Sequence, residues 1–192
     1  DSNKVLDITT TSSASSGTYS LTVNNLATES KIISEGYAAT TTSLETGHVK
    51  VTVGTASATI TIDSTNNTLD GLRLAVNNLG FDVKAAFLND GDATNPVRLL
   101  VSGTQTGSSG AVTMNWLHNT FYPTEGIDFT TTQEAKDARL VVDGVSIRKS
   151  SNTVSDVING VALKLQSAGS GTISLSTDTN AITTKVSDFV DE

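Results

Sequence analysis

At 192 residues the chain can form one large domain or two of ordinary size, so burial is not limiting. Hydrophobic residues make up 36% and aromatics 5%, low for a packed enzyme, while Ser and Thr are over-used; this composition suits strands, turns and a solvated outer surface. A net charge of −8 with scattered Lys and Arg argues against nucleic acid and anionic membrane, and zero cysteines excludes disulfides, thiolate metal sites and a Cys nucleophile.

No apolar run approaches the roughly 20 residues of a membrane-spanning helix. The N-terminus lacks the charged-then-apolar pattern of a cleaved signal peptide, and both ends read as cuts in a longer chain. Val5, Ile8 and the Ser/Thr run to Ser16 predict an extended lead-in and a loop. Tyr19, Leu21 and Val23 alternate with polar residues and predict a half-buried strand. Leu26 to Ser34 fits either a helical turn or a continuing strand. Gly36-Tyr37 closes this segment, and Thr40 to Ser43 is expected to be a linker.

From Gly47 the pattern is regular. Val49, Val51 and Val53 predict one strand, Gly54 to Ser57 its turn, and Ile60 with Ile62 the return. Asn66-Asn67-Thr68 caps a predicted helix carrying Leu69, Leu72, Val76 and Leu79, ended by Gly80. Val83 to Leu88, Val97 to Val101 and Ala111 to Met114 predict further strands. Trp116 to Phe129 breaks the alternation and reads as a crossing between domains. Its aromatics Trp116, Phe121, Tyr122 and Phe129 fit either an interdomain packing core, the favoured reading, or an exposed contact surface for another subunit.

Ala138 to Arg148 predicts a hairpin, because Asp143-Gly144 supplies the two positive-φ positions of a type I′ turn. Thr153 with Asp156, then Val154, Val157 and Ile158, predict a capped helical turn stopped at Asn159-Gly160. Val161, Leu163 and Leu165 predict a strand, as do Thr172 to Ser176. Asp178-Thr179-Asn180 caps a predicted helix whose stripe of Ile182, Val186, Phe189 and Val190 has no partner in the chain. That is the expected start of a coiled-coil arm.

Chemistry is sparse. His48 and His118 are far apart in sequence, and Ser146 lies in a predicted strand without the second Gly of a nucleophile elbow. Asn89-Asp90-Gly91-Asp92 lacks a full calcium ligand series and reads as a turn. Gly103 to Gly110 lacks the Walker lysine and reads as a flexible connection. Asn66-Asn67-Thr68 matches a glycosylation acceptor as well as a helix cap. No catalytic centre, cofactor or metal site is expected. From residues alone the chain is a mainly β (β-rich α+β) pair of domains with short capping helices. A carbohydrate-binding adhesin module contacting host surface glycans is the alternative functional class.

DARLVVDGVSIRKSSNTVSDVINGVALKL, Asp137 to Leu165, resembles the flagellar hook-associated protein 2 family, the filament cap proteins. GTYSLTVNNLATESKIISEGY, Gly17 to Tyr37, agrees with it. So does NTLDGLRLAVNNLGFDVKAAFLNDG, Asn67 to Gly91, which looks like the flagellin hook IN motif with Val76-Asn77 in place of Ile-Asn. The resemblance implies two β-rich head domains, one inserted into the other. Asp1–Ala38 and Asp128–Asn180 would form the discontinuous domain, Ala39–Ile127 the insert, and Ala181–Glu192 the beginning of the arm. It further implies a non-enzymatic cap at the filament tip, outside the cell, exported without a cleaved signal peptide. The expected partners are other copies in a ring, flagellin and a flagellar export chaperone. Flagellin itself and the hook-filament junction protein share export and assembly but have other terminal signatures.

Overall fold

Alternating apolar and polar residues become strands along most of the computed structural model, which describes residues 4–117 and 126–176. In chain order these are β1 (Leu6–Thr10), β2 (Gly17–Asn25), β3 (Glu29–Ser34), β4 (Gly47–Val53) and β5 (Ala56–Ile62), then helix α1 (Leu69–Asn77). There follow β6 (Val83–Asn89), β7 (Val97–Thr106), a 3-10 turn (Ser108–Gly110), β8 (Val112–Leu117) and β9 (Phe129–Gln133). The last five are β10 (Ala138–Val142), β11 (Val145–Lys149), β12 (Thr153–Ile158), β13 (Val161–Leu165) and β14 (Gly169–Leu175). The fold is mainly β and divides into two compact units. One breaks off after Leu26 and resumes at Arg139; the other runs from Ala27 to Ala138 and takes in Lys149–Ser151.

The discontinuous unit holds two sheets, ordered β1-β13-β12 and β11-β10-β2-β14. Its strands bury Leu21, Val23, Leu140, Val142, Val154, Ile158, Val161, Leu163, Leu165 and Ile173, alternate residues along β2, β10 and β13. Leu163 is 1% exposed and lies between Ile8 of β1 and Val154 of β12. The Asp143-Gly144 turn has φ of 46° and 82°, the positive pair that the sequence predicts. The Asp143 carboxylate accepts from the Ser20 amide at 2.7 Å and so ties the hairpin turn to β2.

The second unit holds sheets β6-β7-β3-β9 and β5-β4-β8 with α1. Leu69, Leu72 and Val76 of α1 are fully buried against Val49, Val51, Leu99 and Val101 from the strands. Thr68 caps the helix by accepting from the Gly71 amide at 3.0 Å. Thr40 and Thr42, expected to lie in a linker, instead offer their carbonyls to Asp70 and Leu69 amides at 2.9 and 3.2 Å. The Thr-rich stretch is therefore part of the helix N-terminus, where it satisfies amides that would otherwise be orphaned. At the other end, Asn77 donates from Nδ2 to the Ala85 carbonyl at 2.9 Å and accepts at Oδ1 from the Ala85 amide at 2.8 Å. Ala85 sits in β6, the outer strand of its sheet, so this amide occupies backbone groups that an edge leaves open.

Two expectations are corrected. Residues Thr153–Ile158 form strand β12, not a helical turn. Val154 pairs with Leu163 and Ile158 with Val161, so four steps along β12 face two along β13. This bulge puts Val154 and Ile158 inward with Val157 half-buried, which imitates helical spacing in the sequence. Asn159-Gly160, with φ of 71° at the glycine, turns the β12–β13 hairpin in place of capping a helix. The second correction concerns boundaries. β3 pairs with β7 on one side and β9 on the other, so residues 27–38 and 128–138, expected in the discontinuous domain, group almost wholly with the insert. The ambiguous Leu26–Ser34 stretch thus resolves to a central strand, burying Ser30, Ile32 and Ser34 on one face.

Asn77→Ala should lose about 1–3 kcal/mol from the second unit, because the Ala85 amide and carbonyl are both left without this partner. Calorimetry checks it; parent-like melting would show the bridge to be idle. Leu163→Asp should unfold the discontinuous unit, since it buries an unpaired charge between three strands. Val157→Asp, on the half-exposed bulge, should cost clearly less. Gly144→Val should cost about 1–2 kcal/mol through left-handed φ alone, as its site is sterically open.

Candidate functional site

The strand that resolves the boundary also builds the most structured cleft. Beyond β3 the chain carries Glu35, whose amide donates to the Asp128 carbonyl at 3.2 Å, and Tyr37, which exchanges backbone bonds of 2.7 and 3.0 Å with Val97. Tyr37 Oη donates to Glu35 Oε1 at 2.7 Å. Burial first, and the Glu35 carboxylate second, hold the Tyr37 proton on far above the ordinary tyrosine range. Trp116 enters from β8, where it pairs with Val49 of β4. Gly47 and Gly126 both press on the indole: a methyl added at either would lie 2.9 Å from Cζ2 or 2.4 Å from Cγ. Together with Ser43, Leu44, Glu45 and Ile127 these residues enclose about 180 Å³.

Of the predicted contact residues, Trp116 and Phe129 are half-buried and pack on the same core of the second unit, so the aromatic stretch starts on β8 and ends on β9 of one unit. Phe121 and Tyr122, His118, and the arm stripe Ile182, Val186, Phe189 and Val190 lie outside the described residues. Sequence reasoning missed Glu35, Tyr37 and Glu45 as partners of Trp116. They come from separate segments, and no local pattern links them.

The weaker motifs become structural. Asn89 Oδ1 accepts from the Gly91 amide, Asp90 Oδ1 from Asp92, and Asp92 Oδ1 from Thr94 and Asn95 at 2.9 and 2.7 Å. Asp90 also pairs with Arg98. Their carboxylates are held below the usual range, Asp90 chiefly by the Asp92 amide and then Arg98, Asp92 by the Asn95 and Thr94 amides. The run Gly103 to Gly110, expected to be flexible, is the end of β7 and a 3-10 turn whose Ser108 amide donates to Asp137 Oδ1 at 2.6 Å. Asn66 of the acceptor-like triplet has its amide engaged, donating to the Thr61 carbonyl at 2.9 Å and accepting from the Asp63 amide at 2.8 Å. His48 is exposed on β4 beside Thr61, at 3.3 Å.

Among the described residues no group of three or more His, Cys, Asp or Glu is placed to hold a metal, and no helix is long and apolar enough to cross a membrane. A separate cleft of about 280 Å³ on the discontinuous unit is lined by Arg139, Arg148, Asn24 and Ser146 over Leu140, Val141 and Ile147. The fold defines a β-rich module of two units.

Comparison with known proteins gives the family. Residues 135–192 match the model for the flagellar hook-associated protein 2 C-terminus. The chain is 31% identical to the B-type flagellar hook-associated protein 2 of Pseudomonas aeruginosa, over 97% of this chain and 44% of that protein. It is 33% identical to flagellar hook-associated protein 2 of Escherichia coli K12 over 51% of this chain and 22% of that one. The crystal structure of FliD (HAP2) from Pseudomonas aeruginosa PAO1 superposes with a TM-score of 0.80 at 28% identity, covering 98% of this chain and 92% of that one. The D1-D2-D3 domains of the Escherichia coli flagellar cap protein FliD match with a TM-score of 0.80 at 27% identity, over 99% of this chain and 57% of that one. The chain belongs to the flagellar hook-associated protein 2 family, the flagellar cap proteins. It spans less than half the length of the curated relatives it matches.

The Asp63, Asp90 and Asp92 carboxylates all have folded values depressed below that of the unfolded chain. Their stabilising contribution is therefore complete above about pH 4 and is lost as the pH falls through the depressed values. The melting temperature of the second unit should drop on acidification in that window, and Asp92→Asn should shrink the drop. An acid titration in which parent and variant fall together would remove these turns from the pH response.

Proposed function

We propose that this chain is the head region of a filament cap, standing at the tip of the bacterial flagellum outside the cell. There it holds exported flagellin and templates its insertion. The work is mechanical: no bond is made or broken. Its partners are further copies of the same protein in a ring, flagellin, and an export chaperone before passage, without a cleaved signal peptide. The observation that carries this reading is the match to a cap-protein crystal structure along 98% of the chain.

The test is complementation. In a flagellated strain lacking its own cap protein, the full-length protein carrying this head should return flagellin from the medium to filaments. The Leu163→Asp version should not. If the intact protein leaves flagellin in the medium, or the unfolded head works equally well, the templating role fails.

The 192-residue chain itself should sediment mainly as a monomer at micromolar concentration. Its net charge of −8 opposes head-to-head association, and coiled-coil arms, which carry large apolar seams, are expected to drive the ring. A stable closed oligomer formed by these residues alone would place the driving contacts in the heads.

A further inference from the structure

We infer that the cleft bounded by Glu35, Tyr37, Glu45 and Trp116 is a receptor for an organic cation, the guanidinium or alkylammonium head of a ligand. The inference rests on the lining chemistry and does not depend on the cap reading. Carboxylate oxygens accept hydrogen bonds, and two Glu side chains line the cleft. Tyr37 would ordinarily be able to donate, but its proton is committed to Glu35 Oε1 at 2.7 Å, so it turns lone pairs to the cleft. The Trp116 indole, the aromatic ring type that attracts cations most strongly, lines the same cleft, with Gly126 close to its ring and Gly47 close to its Nε1 edge. Among the described residues no Lys or Arg lines the space. Two carboxylates, a phenol whose proton is committed and an indole, with the Ser43 hydroxyl beside them, complement a donor-rich positive group. A neutral sugar, which needs donors as well as acceptors, is served far less well.

The groups are also held in place before any ligand arrives. Glu35 and Tyr37 are fixed through backbone bonds to Asp128 and Val97, and Trp116 through its ladder to β4 and the close approach of two glycines. Such preorganisation lowers the ordering cost of binding. The enclosed volume, about 180 Å³, suits a head group better than a large ring system. The overall charge of −8 raises the local cation concentration around the mouth. The same contact type occurs within this unit, where Arg73 lies 5.4 Å from the centroid of Phe87.

Trp116 is the only tryptophan in the chain, so its emission reports this cleft directly. The chain is titrated with acetyl-arginine amide, acetyl-lysine amide and tetramethylammonium, with methyl glucoside as the neutral arm and acetate as the anionic one. The cations should give a saturable change that weakens with added salt. Glu35→Gln and Glu45→Gln, both at exposed side chains with circular dichroism expected to match the parent, should each weaken it about three- to fivefold. Tighter binding of the blocked amino acids would identify the ligand as a polypeptide side chain; tighter binding of tetramethylammonium would identify a small quaternary amine. The inference is overturned if methyl glucoside gives the same saturable change and the Gln variants keep it. It is equally overturned if no cation shifts the emission at its solubility limit.

Discussion

The two-sided pairing of β3 is the constraint on which the second unit depends. It lies between β7 and β9, so a sheet built from segments around residues 30, 100 and 130 exists only while it is in register. Its inward face carries Ser30 and Ser34 beside Ile32, all under 4% exposed, an unusual set for a central strand. Ser34 resolves the cost of a buried hydroxyl by donating to the Glu35 carbonyl at 2.7 Å and accepting from the Leu99 amide at 2.9 Å. The side chain thereby continues the β3–β7 ladder where the backbone pairing stops at Ile33 and Leu100. Directly beyond it, Glu35 and Tyr37 are delivered to the cleft. The same strand thus fixes the unit and aims its most organised polar surface.

The Val76-Asn77 pair gives physical content to one of the stretches that resemble the family. Val76 is fully buried and anchors α1 to the core, while Asn77 hydrogen-bonds both backbone groups of Ala85. A side-chain amide presents one donor and one acceptor at peptide-like spacing, so it can stand in for a neighbouring strand. Aspartate there would lack the donor, and leucine would lack both. A protein with long β edges gains from any group that occupies open backbone sites, because an uncovered edge invites pairing with another chain.

Legibility followed locality. Strands whose apolar residues alternate and whose turns carry Asp-Gly or Gly-Thr, such as β4, β5 and β10, were readable because side-chain period and turn chemistry agree within ten residues. Helix α1 was readable from its Thr68 cap and 3.6-residue stripe. The β12 bulge defeated the same logic, since two extra residues convert a strand pattern into a helical one. Thr40 to Ser43 looked like a linker because its bonds are made by carbonyls, which any sequence possesses. The cleft was only partly legible: Trp116 stood out as the lone indole, but its companions Glu35 and Glu45 are ordinary surface acids until the sheet brings them together. Domain limits failed for a related reason. Where a strand leaves one unit for another is decided by its partners and not by its own residues.

The discontinuous topology carries a consequence for how the head forms. β1 pairs with β13 and β2 with β10 and β14, so neither sheet of the first unit can close until the chain beyond Arg139 is available. β3 to β9, by contrast, pair only with one another, and their segments run continuously between the two halves. The departure and return points are neighbours in a ladder: Asn25 pairs with Arg139, and Thr28 bridges Lys136 with bonds of 2.8 and 3.2 Å. Closing an unstructured excursion of that length would cost conformational entropy that grows with the logarithm of the loop. If the inserted unit folds first, its own β3–β9 pairing already brings those points together and most of that entropy has been spent. With no cysteines to hold the ends by a disulfide, sheet formation in the insert is the available device for joining β2 to β10. Topology thus makes insert first, then the unit that surrounds it in sequence, the order with the smaller loop-closure cost.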